Sequence, residues 1–515
     1  MTNLMKNFIK KHLLKTALLI SGVASMQSCS KNFAEINTNP DAVATSTPQF
    51  IFTKAQYDGT SNMLNLLLGT MQYTTSYNDV AGFGSKYIQS QSTSSSSAFS
   101  NAYPNEINEI TEVIKAVTGD ATKVNLLAEA RIWRVYCFSR LTDLYGDIPY
   151  SQAAQGYNSS IYSPVYDAQK DIYANMLAEL DAAAQSLDAS KATFGSSDLI
   201  YSGNTTQWKK FAYSLMLRLG MRMTKVDVAA AQTWVTKAIT GGVIMADADI
   251  AKVAYVGSGQ DINKNPLALS LLNSDYIKAD GNSNTEGGKY QDVFINYLKQ
   301  NNDPRLPVIS VVYTTGTADT TSVNQKGMSA MLSAKPSNFV TFSEPRQNTL
   351  LLLSSPRLVF TAAESYFLLA EAALRGWYSG ATVSASYQNG ISASMRQWAV
   401  IAGSAGSITT NQIDTYIKYH QLTTSGTFDQ QMAQIYTQFW VGVFPDAQEV
   451  FASYRRTGYP ALTPNNYVGN ATGGLIFRRM LYPLSEQNLN TVSYKAAIAR
   501  QGADSFLTRI WWDKQ

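Results

Sequence analysis

Four times along this chain two segments of helical period stand close together with a short turn or loop between them. The pairs are 122–145 with 167–187, 205–224 with 227–240, 361–375 with 384–401, and 428–443 with 446–456. Gly146, Gly241-Gly242 and Gly376 stand where members of these pairs should stop, as expected where the chain must leave a helix through a positive φ. A helical hairpin cannot bury its apolar side alone, so repeated hairpins imply stacking into an α-solenoid. The spacing is irregular and no strict 34-residue register runs through it. Residues 251–350 interrupt the pattern. They are rich in Asn, Gly, Ser and Thr, with β-like runs at 308–313 and 338–342. They read as a large excursion from one helical core. The expected fold is mainly α: a single domain over 47–515 with long loops and a few short strands.

The amino-terminal end carries a different signal. Lys6, Lys10, Lys11 and Lys15 precede an apolar run, Thr16 to Ala24, and a short polar stretch leads to Ser28 and Cys29. A basic start, an apolar run and a small residue before a cut describe an export signal over 1–28. The run is too short to span a bilayer with these flanks. A cysteine directly after the cut is the acceptor for a diacylglyceryl group. Each buried acyl methylene, as in palmitate, adds roughly 0.8 kcal/mol of membrane affinity. Cys29 is therefore the expected lipidation site and 29–46 the tether, with turn chemistry at Asn37–Asp41. Thr47-Pro48 then reads as a helix cap and first-turn proline.

Charge follows from this division. The chain has 41 basic and 37 acidic residues. Four of the basic residues and none of the acidic ones lie in the leader, so the remainder is balanced. A balanced exported chain has no electrostatic footprint for nucleic acid. Beyond the leader the only histidine is His420 and the only cysteines are Cys29 and Cys137. No zinc set, no histidine-dependent triad of credible setting and no phosphate loop can be assembled. No metal, cofactor or catalytic residue is expected. Cys137, in an apolar stretch, reads as a small buried hydrophobe.

Eight further segments occur in order: Asp143-Leu-Tyr-Gly-Asp-Ile-Pro-Tyr150; Ser163-Pro-Val-Tyr-Asp-Ala-Gln169; Asp198-Leu-Ile-Tyr-Ser-Gly-Asn204 with Trp208; Ser214-Leu-Met-Leu-Arg-Leu219; Asp303-Pro-Arg-Leu306; Thr361-Ala-Ala-Glu364 with Leu369-Ala-Glu-Ala372; Arg455-Arg-Thr-Gly-Tyr-Pro460; and Arg479-Met-Leu-Tyr-Pro-Leu-Ser-Glu486. With Phe33-Ala-Glu-Ile-Asn-Thr-Asn-Pro40 they make the chain resemble the SusD/RagB family, in its SusD-like lipoprotein branch. The resemblance implies four tetratricopeptide-like helix pairs. It also implies a lipid-anchored protein on the outer face of the outer membrane that captures oligosaccharides, or in some branches peptides. The captured ligand passes to a partner, a SusC-like TonB-dependent transporter barrel.

These segments read as structural. Gly146 should end its helix in a left-handed conformation, and Asp147-Ile-Pro149 should leave it extended. Asp143, near a helix carboxyl end, needs a cation or hydrogen-bond donor. Glu364 and Glu371, seven apart, share a helix face. Arg455, Arg456 and Arg479 are their candidate partners, since a guanidinium matches a carboxylate with two parallel bonds. An acid–base role for these carboxylates is the rival reading.

Ligand contacts are sought among aromatics with amide neighbours. The chain has 30 Tyr, 20 Phe and 8 Trp, and rings with polar tips suit wet binding surfaces that take the C–H face of a sugar. Residues 77–103 read as a long loop with aromatic punctuation. The candidates are Tyr73, Tyr77, Asn78, Phe83 and Tyr87, and, on the excursion, Tyr255, Asn263, Asn265, Tyr276 and Tyr290. A receptor for saccharide or peptide is the leading expectation. A secreted glycosidase, needing two carboxylates about 5–10 Å apart in an open cleft, and a pure interaction scaffold are the rivals.

Overall fold

Helix α1, Pro48–Ser61, starts at the proline that the sequence nominates. The computed structural model describes residues 47–78, 84–88, 92–273, 288–314, 317–463 and 465–515; the leader, Cys29 and the tether lie outside them. Residues 77–103 are not one loop. They include α2, Ser92–Ala102, which passes through a wide turn at Tyr103–Ile107 into α3, Asn108–Val117. The serine run hides α2, yet Ala98, Phe99 and Ala102 reach the core from it.

The four hairpins form as expected. They are α4 (Val124–Tyr145) with α5 (Gln169–Ser186), α6 (Thr205–Arg222) with α7 (Val228–Gly241), α8 (Ala362–Leu374) with α9 (Val383–Ala402), and α10 (Phe428–Val443) with α11 (Ala447–Thr457). Each member packs on its mate, α5 also on α6, and α8 also on α10. Asn204 caps α6, its side chain accepting the Gln207 N–H at 3.1 Å. Gly146 ends α4 at φ 82° and ψ −120°. That is a positive φ, but not the left-handed helical region. A side chain there would meet Gln501 Oε1 at 2.2 Å.

Among the described residues nine short strands join the helices. β2 (Ile148–Pro149) pairs with β3 (Tyr166–Asp167), so the extended exit after Asp147 becomes a ladder. β4 (Ala251–Val253) pairs with β9 (Arg357–Phe360), closing the excursion at its base. β1 (Thr74–Ser76) pairs with β5 (Gly288–Tyr290), and β6 (Ser310–Thr314) lies between β7 (Thr317–Asp319) and β8 (Glu344–Pro345). The run at 338–342, read as strand, is a single 3₁₀ turn. Pro48–Gln515 form one compact unit.

Inside this core runs a chain of buried ions. Arg218 of α6 grips Glu364 of α8 with two bonds of 2.6 and 2.7 Å and approaches Glu449 of α11 at 3.3 Å. Arg222 holds Glu449 at 2.6 Å and Asp143 of α4 at 3.2 Å. Asp143 also takes the Trp512 indole N–H at 3.0 Å and the Tyr173 hydroxyl. Glu371 accepts two bonds from Arg456, at 2.8 and 2.6 Å, and one from Arg375 at 2.8 Å. Of the three arginines nominated for these glutamates, only Arg456 serves. Arg455 donates instead to the backbone carbonyls of Arg478 and Asp143, and Arg479 faces Asp504 at 3.3 Å. Asp147 takes the Gln169 N–H and Arg500 Nε, both at 2.9 Å. Buried carboxylates need such partners, so none of these groups stands open as an acid–base pair.

Candidate functional site

The β1–β5 ladder joins two segments that the sequence nominates separately. Thr74 faces Tyr290, Thr75 faces Lys289 and Ser76 faces Gly288. Beyond Ser76 the chain emerges at Tyr77 and Asn78, so these side chains stand at the open end of the ladder. Gln291 locks it from behind, donating to the carbonyls of Thr74 at 2.8 Å and Gly69 at 3.0 Å. The other side is held by the excursion, through Tyr290 N–H to the Ser343 carbonyl at 2.9 Å and Met328 N–H to the Tyr290 carbonyl at 2.8 Å.

A small aromatic floor forms beneath. Met328, Phe339 and Phe342 make an apolar cluster of their own, with Tyr77 and Leu332 against it. Tyr77 meets Phe339 edge to face, centroids 5.3 Å apart. Lys289 lies 4.8 Å from the Phe339 ring centre and pairs with Glu344, both buried. Burial lowers the pKa of that ammonium despite the opposing carboxylate. Lys86 donates to the Ala330 carbonyl at 2.9 Å and covers the Tyr467 ring at 3.9 Å. The rim is thus braced by buried ions and presents an exposed amide, Asn78, a half-buried ring, Tyr77, and exposed Met331 and Val340. Asn78 Oδ1 takes the Ser76 hydroxyl at 2.5 Å. This fixes the side chain so that its amide nitrogen is free to donate, the arrangement that orients a hydroxylated ligand beside a ring.

Other nominated aromatics serve the core. Tyr73 is fully buried, stacked on Trp440 at 5.4 Å with its hydroxyl on the Trp440 carbonyl at 2.6 Å. Tyr87 is buried against Phe477, and Tyr290 is buried with its hydroxyl on the Ile309 carbonyl at 3.1 Å. A tyrosine whose hydroxyl finds a carbonyl can be buried whole, so these three offer no face to a ligand. Asn265 is a buried helix cap, accepting from the N–H groups of Leu267 and Ala268 at 2.9 and 3.1 Å. Tyr255 is half-buried near Thr60, and Asn263 is exposed in the loop before Pro266; the ladder gathers neither. Phe83 and Tyr276 lie outside the described residues. The reading of the sequence missed Phe339 and the 326–345 segment, because its short apolar run looks like strand and the pairing that places it is remote in the chain.

Among the described residues no group of three or more His, Cys, Asp or Glu could hold a metal ion. No helix among them is long and apolar enough to cross a membrane.

The profile of a family described as SusD-like, starch-binding and associating with the outer membrane, matches residues 40–483. A solved chitin-binding protein is 28% identical, with 91% of this chain and all of that chain covered at a TM-score of 0.78. A SusD-like protein described as Bacteroidetes AC2a is 26% identical over 91% of this chain and all of its own, at 0.79. A chitin-binding SusD homologue from Flavobacterium johnsoniae is 25% identical over 91% of this chain and 98% of its own, at 0.73. No curated protein matches the sequence.

Proposed function

The chain belongs to the SusD-like family, and from that premise we propose that it is a surface receptor that captures oligosaccharide at the β1–β5 rim without cleaving it. The ligand then passes to a SusC-like TonB-dependent transporter. Cys29 carries the lipid that holds the protein on the outer face of the outer membrane, residues 1–28 are its export signal, and 29–46 are its tether.

The observation that carries the site is the ladder itself, which puts Tyr77 and Asn78 beside the Phe339 cluster. The chitin-binding relatives support a saccharide over a peptide ligand. Binding rather than hydrolysis is supported by the setting of the acids, since Glu364 and Glu371 are engaged by buried arginines.

Titration calorimetry with chitohexaose, maltoheptaose and a mixed-sequence peptide tests the reading. Saccharide binding is expected, about tenfold weaker in Tyr77→Ala with Asn78→Ala, with no new reducing ends on long incubation. Peptide binding alone would transfer the site to a peptide receptor, and turnover would overturn it. For the anchor, Cys29→Ala should abolish incorporation of labelled palmitate; labelling that survives the change refutes the lipidation site.

A further inference from the structure

A second cleft, of about 440 Å³, opens where the end of α2, the loop after β2, the 161–164 segment and Pro483–Glu486 meet. It shares no residue with the rim, and its size is within the range of small-ligand sites. We infer that it is an independent binding site for a neutral saccharide, built from one exposed ring and amide groups of fixed polarity.

The ring is Tyr162, 80% exposed. An exposed tyrosine at the lip of a cleft offers a flat face to the C–H side of a sugar. Two amides stand with it. Gln152 Oε1 accepts the Val165 N–H at 3.0 Å, which leaves Nε2 as a donor without a partner among the described residues. Gln155 Nε2 donates to the Ser151 carbonyl at 2.8 Å, which leaves Oε1 as an acceptor. Neighbouring hydroxyls on a sugar ring need this donor-and-acceptor pair, because each hydroxyl both gives and takes. Glu486 adds an acceptor: its Oε2 takes the Tyr166 hydroxyl at 2.9 Å and the Asn490 amide at 3.3 Å, and Oε1 has no partner among the described residues. Among the described residues no Lys or Arg lines the cleft, so a carboxylated or sulfated sugar would meet Glu486 uncompensated. The ligand is accordingly neutral. The wall between the two glutamines is held at a cost, since Ala154 sits at φ 56°. A non-glycine residue in that region stores about 1 kcal/mol or more of strain. The other wall is set by Tyr103, whose hydroxyl donates to the Pro149 carbonyl at 2.8 Å.

Tyr162→Ala and Gln152→Ala, each in the full-length chain, test the site with chitohexaose and maltoheptaose. Hydrogen exchange with and without sugar locates the contact. Protection of backbone N–H groups in 150–164, and roughly fivefold to tenfold weaker binding to one class of sites in either variant, are expected, with an unchanged melting curve because both side chains reach solvent. Tyr77→Ala should leave that protection intact. If the 150–164 protection is absent, or if Tyr162→Ala binds both sugars as the parent does, the cleft is not a saccharide site, whatever happens at the rim. If protection there survives Tyr77→Ala while the rim shows none, the rim reading falls and the cleft stands. Protection by a proline-rich peptide and not by sugar would also overturn the assignment.

Discussion

Glu129 should make the stability of this fold decline with pH across the neutral range. It lies in α4 with no exposed surface. Oε2 takes only the Phe194 N–H, at 3.4 Å, and Oε1 has no hydrogen-bond partner. Burial and then the nearby Asp198 carboxylate push the carboxyl up to about 8, against the single opposing N–H. Asp198 itself takes donors from Gln56, Trp208 and three backbone N–H groups, which explains why the Asp198–Asn204 segment folds tightly on α1 and α6. The sign follows from the upward shift. The stabilising effect of the protonated carboxyl is complete below the unfolded pKa, near 4.5, and is lost as pH rises towards 8. The slope is about 1.4 kcal/mol per pH unit for one proton, so roughly 3 kcal/mol disappears between pH 5 and pH 7. Glu129→Gln keeps the shape and removes the titration. Urea unfolding followed by tryptophan fluorescence should show the two proteins closest at pH 5, with the variant gaining roughly 3 kcal/mol relative to the parent by pH 7. Because every other group titrates in both proteins, the difference isolates Glu129. A difference that stays constant from pH 5 to pH 8 would refute the argument.

Glu371 should behave in the opposite sense. Burial raises its pKa, but Arg456, with Arg375 and the Tyr436 hydroxyl, outweighs burial and holds it near 2. Its contribution is therefore present above about 4.5 and lost as pH falls through about 2. Glu371→Ala should cost about 3–5 kcal/mol by urea unfolding, whereas Glu371→Leu with Arg456→Met should recover most of it, because desolvating an ion pair offsets its attraction. Gly146→Ala should cost more than about 1 kcal/mol, since the position has a positive φ and the new carbon would meet Gln501 Oε1. The melting temperature should fall, and a melting temperature equal to the parent's would show that the helix end can shift.

The helix pairs were legible because period and glycine stops are local signals. Val124–Tyr145 and Phe428–Val443 announce themselves by apolar spacing, and Thr47-Pro48 by cap chemistry. Helix α2 was hidden because the apolar side chains it buries, Ala98, Phe99 and Ala102, are set among serines, of which Ser95 is buried too. The site was half legible. Both segments that build the rim were nominated, but nothing in either says that Ser76 faces Gly288, since that register is a property of the folded ladder. Aromatic identity was equally blind to burial. Tyr73 and Tyr77 are four residues apart, and what makes the first a core residue is remote in the chain: the Trp440 ring it stacks on and the Trp440 carbonyl that takes its hydroxyl.

The ion chain and the rim make opposite demands on sequence. Arg218, Arg222 and Glu449 tie α6 to α8, α11 and α4, each charge answering another from a different hairpin. Such a network adds little net stability, because desolvation consumes most of its attraction. Shifting one hairpin by a single turn, however, would strand a buried charge and cost several kcal/mol. The network therefore works on register, and it can do so only with those residue types in those places. The rim is fixed from behind by the ladder, Gln291 and the Lys289–Glu344 pair. Asn78 and Met331 are exposed there, so their identity can follow the ligand. Ligand preference in a chain of this design should change through substitutions at Asn78 and Met331 that leave folding stability almost untouched.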